Sequence, residues 1–214
     1  MKIFLDTANV EEIKAGVAYG VIDGVTTNPS LIAKENKGFI PLIEEIINIV
    51  PGPVSVEVTA TDAVEMVKQA REYAKISENV VIKVPINFEG LKVVKTLSDL
   101  DIKTNVTLIF STSQALLAAK AGAAYVSPFV GRIDDISGNG MTLVEDIMQV
   151  FDNYTFDTEV IVASVRHPLH FLQSAMIGAH IATIPFATLK KLLDHPLTDN
   201  GMKKFLEDWQ KVKK

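Results

Sequence analysis

The chain has no cysteine, which excludes disulfides and thiolate metal sites and leaves redox chemistry silent about compartment. It also has no basic excess: 21 Lys and Arg stand against 26 Asp and Glu, a formal net charge of −5. A grip on a phosphate backbone needs a cationic stripe that releases counterions, so nucleic acid is not an expected partner. No apolar run reaches the roughly 20 residues that span a bilayer. The opening MKIFLDTANVEEIK turns acidic and helical where a signal peptide would stay apolar. No membrane partner is expected, and the expected location is cytoplasmic. Linkers, charge blocks and low-complexity tracts are missing too. What remains is 214 residues, 48% hydrophobic, enough apolar material for one core. A single domain over 1–214 is the expectation.

Short β-branched runs alternate with amphipathic segments throughout. The runs are KIFL at 2–5, GVTT at 24–27, VSVEV at 54–58, VVIKV at 80–84, IKTNVTL at 102–108, AAYVS at 123–127, EVIVAS at 159–164 and HIATI at 180–184. Between them lie helical patterns such as PLIEEIINIV, DAVEMVKQAREYAK and GMTLVEDIMQVF. Strand–helix alternation forces parallel pairing, and eight such units close as an α/β fold of the (β/α)8, or TIM, barrel type. An open doubly wound sheet is the alternative. Its dinucleotide form wants G-x-G-x-x-G after the first strand, where this chain has LDTANVEE. Beyond the eighth strand two helices are expected. The second, a C-terminal extension over 198–214, opens near Thr198 or Asp199 and carries Leu206 and Trp209 on one side. It could cross the barrel bottom or reach a neighbouring subunit.

In such a barrel chemistry gathers at the carboxyl ends of the strands. The first delivers Asp6 and the second Thr26, Thr27 and Asn28. The third carries Glu57, the fourth Lys83, the fifth Asn105 and Thr107. The sixth gives Ser127, with Arg132 close behind, and the seventh Ser164 and Arg166; the eighth ends in apolar Pro185 and Phe186. Each has a plain structural explanation. Asn28 before Pro29 has the form of an N-cap with proline at N1. Asp6 could serve a turn, although Asn9 with Glu12 supplies a better capping box. Glu57 and Lys83 could be a structural ion pair, at a desolvation cost that favours a task. The convergence of so many polar strand ends carries the weight. His167 and His170 are spaced to serve a metal, but no third ligand lies at a zinc-motif spacing. No metal is expected.

An ammonium in a buried strand is costly, so Lys83 in NVVIKVP needs a reason. A lysine in low dielectric can shed its proton and attack a carbonyl, and the resulting protonated imine is an electron sink for C–C cleavage. Forming the imine needs an acid to expel water and cleavage needs a base for a hydroxyl proton, tasks that Asp6 and Glu57 could divide. Arg132, Ser164 and Arg166 could clasp a phosphate dianion. They lie one strand before the usual barrel phosphate site, which follows strands seven and eight.

FLDTAN, DGVTTNPSLI, the VEV and VIKVP strands, TNVTLIFS, GAAYVSPFVGRIDD and ASVRHP together resemble the transaldolase family, in its short microbial branch that includes fructose-6-phosphate aldolases. The resemblance implies a class I aldolase-type barrel without metal or organic cofactor, moving a dihydroxyacetone unit between sugar phosphates. By position, Lys83 matches the Schiff-base lysine and Asp6 the carboxylate that takes the hydroxyl proton. Glu57 and Thr107 match the pair that positions a water. Asn28 and Asn105 match the amides that hold the three-carbon fragment, Ser127 lines that pocket, and Arg132, Ser164 and Arg166 match the distal phosphate grip. The aldolases tend to carry Gln and Tyr where this chain has Glu57 and Phe129, which points to transfer over release. The family implies a homo-oligomer, pentamer or decamer, in pentose phosphate metabolism. Kept beside it are a lyase using the same imine, a non-catalytic sugar-phosphate-binding barrel and a pyridoxal-phosphate enzyme.

Overall fold

The structure is a computed structural model describing residues 1–212. Eight parallel strands, β1 Lys2–Asp6, β2 Gly24–Thr26, β3 Val54–Glu57, β4 Val80–Pro85, β5 Thr104–Ile109, β6 Tyr125–Pro128, β7 Glu159–Val162 and β8 Ile181–Ile184, form a closed barrel in sequence order. The expected TIM barrel is what the chain adopts. Helices α1 Val10–Ala18, α2 Pro29–Ile32 and α3 Phe39–Ile49 follow the first two strands. Then come α4 Ala63–Ala74, α5 Phe88–Ser98, α6 Thr112–Lys120, α7 Val130–Asp134, α8 Gly140–Tyr154 and α9 Pro168–Ile177. The chain closes with α10 Phe186–Leu193 and α11 Pro196–Trp209.

Strands covered on both faces need no polar side, so they read as continuous Val and Ile. One core cluster fills the space between sheet and helices, including Leu42, Ile46, Ile82 and Val144. A second, of Phe4, Val81, Tyr125, Ile161 and Ile181, fills the lower barrel interior. Side chains alternate along a strand, so the residues two places on face the same interior nearer the carboxyl ends: Asp6, Lys83, Ser127 and Thr183. The apolar plug is the base on which the polar layer stands. Gly24 gives it room, since a Cβ there would meet the Phe4 ring at 2.7 Å.

Several boundaries differ from expectation. β7 ends at Val162 rather than 164, because Ser164 takes a left-handed φ of 58°. β5 runs on to Ile109 through a register shift against β6, where Leu108 has φ 62°. The short α7, inside FVGRIDD, had no periodicity to announce it. Asn9 caps α1 through the Glu12 N–H at 3.0 Å, but the Glu12 carboxylate accepts from the Thr7 hydroxyl at 2.7 Å rather than closing a capping box. The last helix opens at Pro196, not at Thr198 or Asp199. The His195 ring accepts from the Leu197 N–H at 3.2 Å, and proline takes the first helical position without losing a bond. Residues 213 and 214 of the expected extension lie outside the described part.

Candidate active site

The carboxyl ends of the strands enclose a cavity of about 450 Å³. Asp6, Asn28, Lys83, Ser127, Phe129, Arg132, Ser164 and Arg166 all line it. Glu57, Asn105 and Thr107 do not. Glu57 faces an adjoining pocket of about 190 Å³ beside Asn28 and Thr59, while Asn105 and Thr107 are fully buried behind the wall.

Strand register sets the floor. Glu57, Lys83 and Asn105 are neighbours across β3, β4 and β5, which puts the amine between a carboxylate and an amide. Lys83 Nζ lies 3.0 Å from Glu57 Oε2, with the lysine side chain 5% exposed, and donates to the Thr27 carbonyl at 3.0 Å. The ion pair foreseen as a structural alternative does exist, but it opens onto a cavity. The Ser127 hydroxyl donates to Asn105 Oδ1 at 2.7 Å, and Asn105 Nδ2 donates to Ser55 Oγ at 3.1 Å. That amide is therefore locked in one orientation. The Thr107 hydroxyl is buried and finds no hydrogen-bond partner among the described residues.

Asp6 sits across the cavity from this row. Burial pushes its carboxyl above the ordinary range; the Lys83 charge and the Thr26 hydrogen bond oppose that, and Glu57 reinforces it. Thr26 Oγ1 donates to Asp6 Oδ1 at 2.9 Å, so the 2.6 Å contact between the Thr26 and Thr183 hydroxyls must be a donation from Thr183. Thr183 corrects the view that the eighth strand brings nothing polar: one threonine hidden in HIATI orients the Asp6 carboxylate through a second. Asn28 keeps both its parts, capping α2 by accepting from the Leu31 N–H at 3.0 Å while facing the cavity.

The rim is built differently. Arg132 lies over the Phe129 ring, 4.9 Å from its centroid, and Phe129 packs edge-on against Phe110. Arg166 Nη2 donates to Asp135 Oδ2 at 2.8 Å. The loop after β7 crosses α7 so closely that a Cβ on Gly131 would fall 2.2 Å from the Ser164 carbonyl, which accepts from the Gly131 N–H at 3.1 Å. Only glycine permits that approach. Lys191 and Thr188 reach the same rim from α10. Sequence reading missed Lys191, because nothing in FATLKKLL says which lysine faces inward.

Asp134, His167 and His170 place one possible ligand atom each within 4.8 Å of one another. Asp134 is the third partner that motif spacing did not supply, brought in from α7. Both nitrogens of His170 already have protein partners, Asp134 Oδ2 at 2.7 Å and the Arg166 N–H at 3.2 Å. The grouping is a hydrogen-bonded one.

An amine paired with one carboxylate and facing a cavity lined by a second, with cations at the mouth, suits imine chemistry on an anionic carbonyl compound. Among solved structures, the fold resembles 2,3-dimethylmalate lyase, a PEP mutase/isocitrate lyase superfamily member (TM-score 0.60, 13% identity, 97% of this chain and 82% of that one). It also resembles a putative lactate oxidase of Pediococcus acidilactici (TM-score 0.63, 14% identity, 86% of this chain and 62% of that one). At such identities the likeness concerns the barrel alone. Sequence relatives are far nearer. A protein named probable transaldolase from Methanococcus maripaludis is 66% identical over 210 residues, 98% of each chain. One of the same name from an Anaeromyxobacter species is 60% identical over 214 residues, 100% of each, and one from a Thermoanaerobacter species is 60% identical over 99% of this chain and 98% of that one. The family model described as Transaldolase/Fructose-6-phosphate aldolase matches residues 3–214. With this lysine at the floor of this barrel, the chain belongs to the transaldolase/fructose-6-phosphate aldolase family and is an enzyme.

Proposed function

We propose that the enzyme is a transaldolase that carries a dihydroxyacetone unit from a ketose phosphate, sedoheptulose 7-phosphate or fructose 6-phosphate, to an aldose phosphate through an imine on Lys83. The observation that carries this reading is the position of the Lys83 amine, between Glu57 and the cavity that Asp6 lines. Glu57, 3.0 Å away, takes the proton that Lys83 must lose before it attacks the C2 carbonyl. Glu57 and the Thr107 hydroxyl then hold the water that shuttles protons as the carbinolamine loses its own oxygen. Asp6 accepts the C4 hydroxyl proton as the C3–C4 bond breaks, and the electron pair passes into the iminium. The aldose phosphate leaves, an acceptor aldehyde takes its place, and the same steps run backward.

Asn28, Asn105 and Ser127 hold the retained three-carbon fragment; for Asn105 this requires a side-chain movement out of its bonds to Ser55 and Ser127. Arg132, Ser164 and Arg166 grip the phosphate at the far end. Phe129 has no proton to give the bound carbanion, so the intermediate waits for an acceptor. Retention of Glu57 and Phe129, in place of Gln and Tyr, supports transfer over free aldolase activity.

The working form we propose is a cytoplasmic homo-oligomer, pentamer or decamer, in pentose phosphate metabolism. No described helix is long and apolar enough to cross a membrane. Phe205, Leu206 and Trp209 of α11 are 75%, 62% and 69% exposed, an apolar face suited to a neighbouring subunit. The function is tested by incubating the enzyme with fructose 6-phosphate, with and without erythrose 4-phosphate. Sedoheptulose 7-phosphate should form only when the acceptor is present. Free dihydroxyacetone accumulating without acceptor would establish the lyase instead, and binding without any turnover would establish a non-catalytic barrel.

A further inference from the structure

We propose that His170 is a positioning residue for the phosphate grip: through its two ring nitrogens it ties the backbone of Arg166 to α7, which carries Arg132. The inference rests on the sugar-phosphate reading of the site. His170 is the third residue of α9, only 3% exposed, and no step of the chemistry uses it. Its Nδ1 receives the Arg166 N–H at 3.2 Å, and its Nε2 lies 2.7 Å from Asp134 Oδ2. A backbone N–H can only donate, so Nδ1 must be unprotonated and the ring proton must sit on Nε2, donated to Asp134. Asp134 in turn accepts from the Gly140 N–H at 2.8 Å, joining the end of α7 to the start of α8. Arg166 follows directly on the loop where Ser164 holds φ 58°. Such backbone persists only where its surroundings over-determine it. His170 is the side chain that fixes the Arg166 N–H, two residues further on.

The charged groups facing the ring are Asp134 from α7, His167 from the cap of α9 and Arg166 from the β7 loop. Burial is the main cause that holds the imidazole below its ordinary value; Asp134 opposes, while His167 and Arg166 assist. A second proton on Nδ1 would break the bond to Arg166, so the tie holds only while the ring is neutral.

Two substitutions separate the two bonds. The amide of an asparagine reaches about as far as Nδ1 and can accept from Arg166; that of a glutamine reaches as far as Nε2 and meets only Asp134. His170→Gln should raise KM for fructose 6-phosphate about tenfold, the usual worth of one such hydrogen bond, leaving kcat and KM for unphosphorylated fructose unchanged. His170→Asn should recover most of that loss. Equal losses in both variants, or parallel rises in KM for fructose and its phosphate, would overturn the proposal. Should a variant fail to fold, nitrogen NMR of the wild-type protein carries the test: His170 must be the Nε2–H tautomer at neutral pH, and an Nδ1–H tautomer would refute the tie. A wild-type enzyme indifferent to the phosphate of its substrate would instead overturn the functional reading beneath it.

Discussion

The floor and the rim of the cavity are made by opposite means. Floor side chains stand on strands, and their spacing follows from the register that pairs Glu57 with Lys83 and Lys83 with Asn105. Rim side chains stand on a five-residue helix and on a loop with a left-handed serine. The Lys83 side chain is 5% exposed, whereas that of Arg166 is 53% exposed. Under the proposed function, bond-making falls to side chains fixed by strand register, and recognition of the far end to segments that need tertiary support. Gly131, Asp134 and His170 supply that support.

Substitutions in the two regions should accordingly produce different kinetic signatures. Lys83→Met should have the largest effect, lowering kcat by about 10³-fold or more through loss of the nucleophile, with the far-ultraviolet circular dichroism spectrum unchanged. Retained turnover would rule out Lys83 as the nucleophile. Asp6→Asn should lower kcat by about 10²–10⁴-fold, the usual range for a general base, with little change in substrate affinity.

The same variant should also be more stable. Folding raises the Asp6 carboxyl, so the native state binds that proton more tightly than the unfolded chain. Stability therefore falls as pH rises from the ordinary carboxylate range through the folded value. Removing the carboxylate lifts that penalty. The Tm of Asp6→Asn should exceed that of the wild type at neutral pH, with the gain disappearing in acid; thermal melts across pH check this. Arg166→Ala belongs to the rim and should be mildest, raising KM for phosphorylated sugars about 10- to 100-fold through lost charge-assisted hydrogen bonds. Unphosphorylated analogues should hardly notice, and equal effects on both would erase the distinction between floor and rim.

That distinction also governs what the sequence makes legible. Lys83 stands out because an ammonium in VVIKV breaks a run of Val and Ile, and a parallel strand announces its inward polar residues in the same way for Glu57 and Asn105. Thr183 escapes notice because threonine is ordinary in a strand, and its role appears only when Thr26 comes within 2.6 Å of it. α7 is too short to show a helical period. The link between His170 and Asp134 spans 36 positions and depends on the end of α7 meeting the first turn of α9. The opening of α11 is misplaced by two or three residues because histidine is seldom read as a cap. Local pattern carries the barrel and its floor; long-range contact decides the rim.

If Lys83 becomes covalently joined to the substrate, borohydride reduction of the enzyme with fructose 6-phosphate, followed by peptide mass mapping, will trap the bond. The proposed imine on Lys83 predicts a single stable adduct, the mass of a reduced dihydroxyacetone or hexose phosphate imine, on the peptide containing Lys83. An adduct on a different lysine, or turnover with no trapped adduct at all, would contradict it.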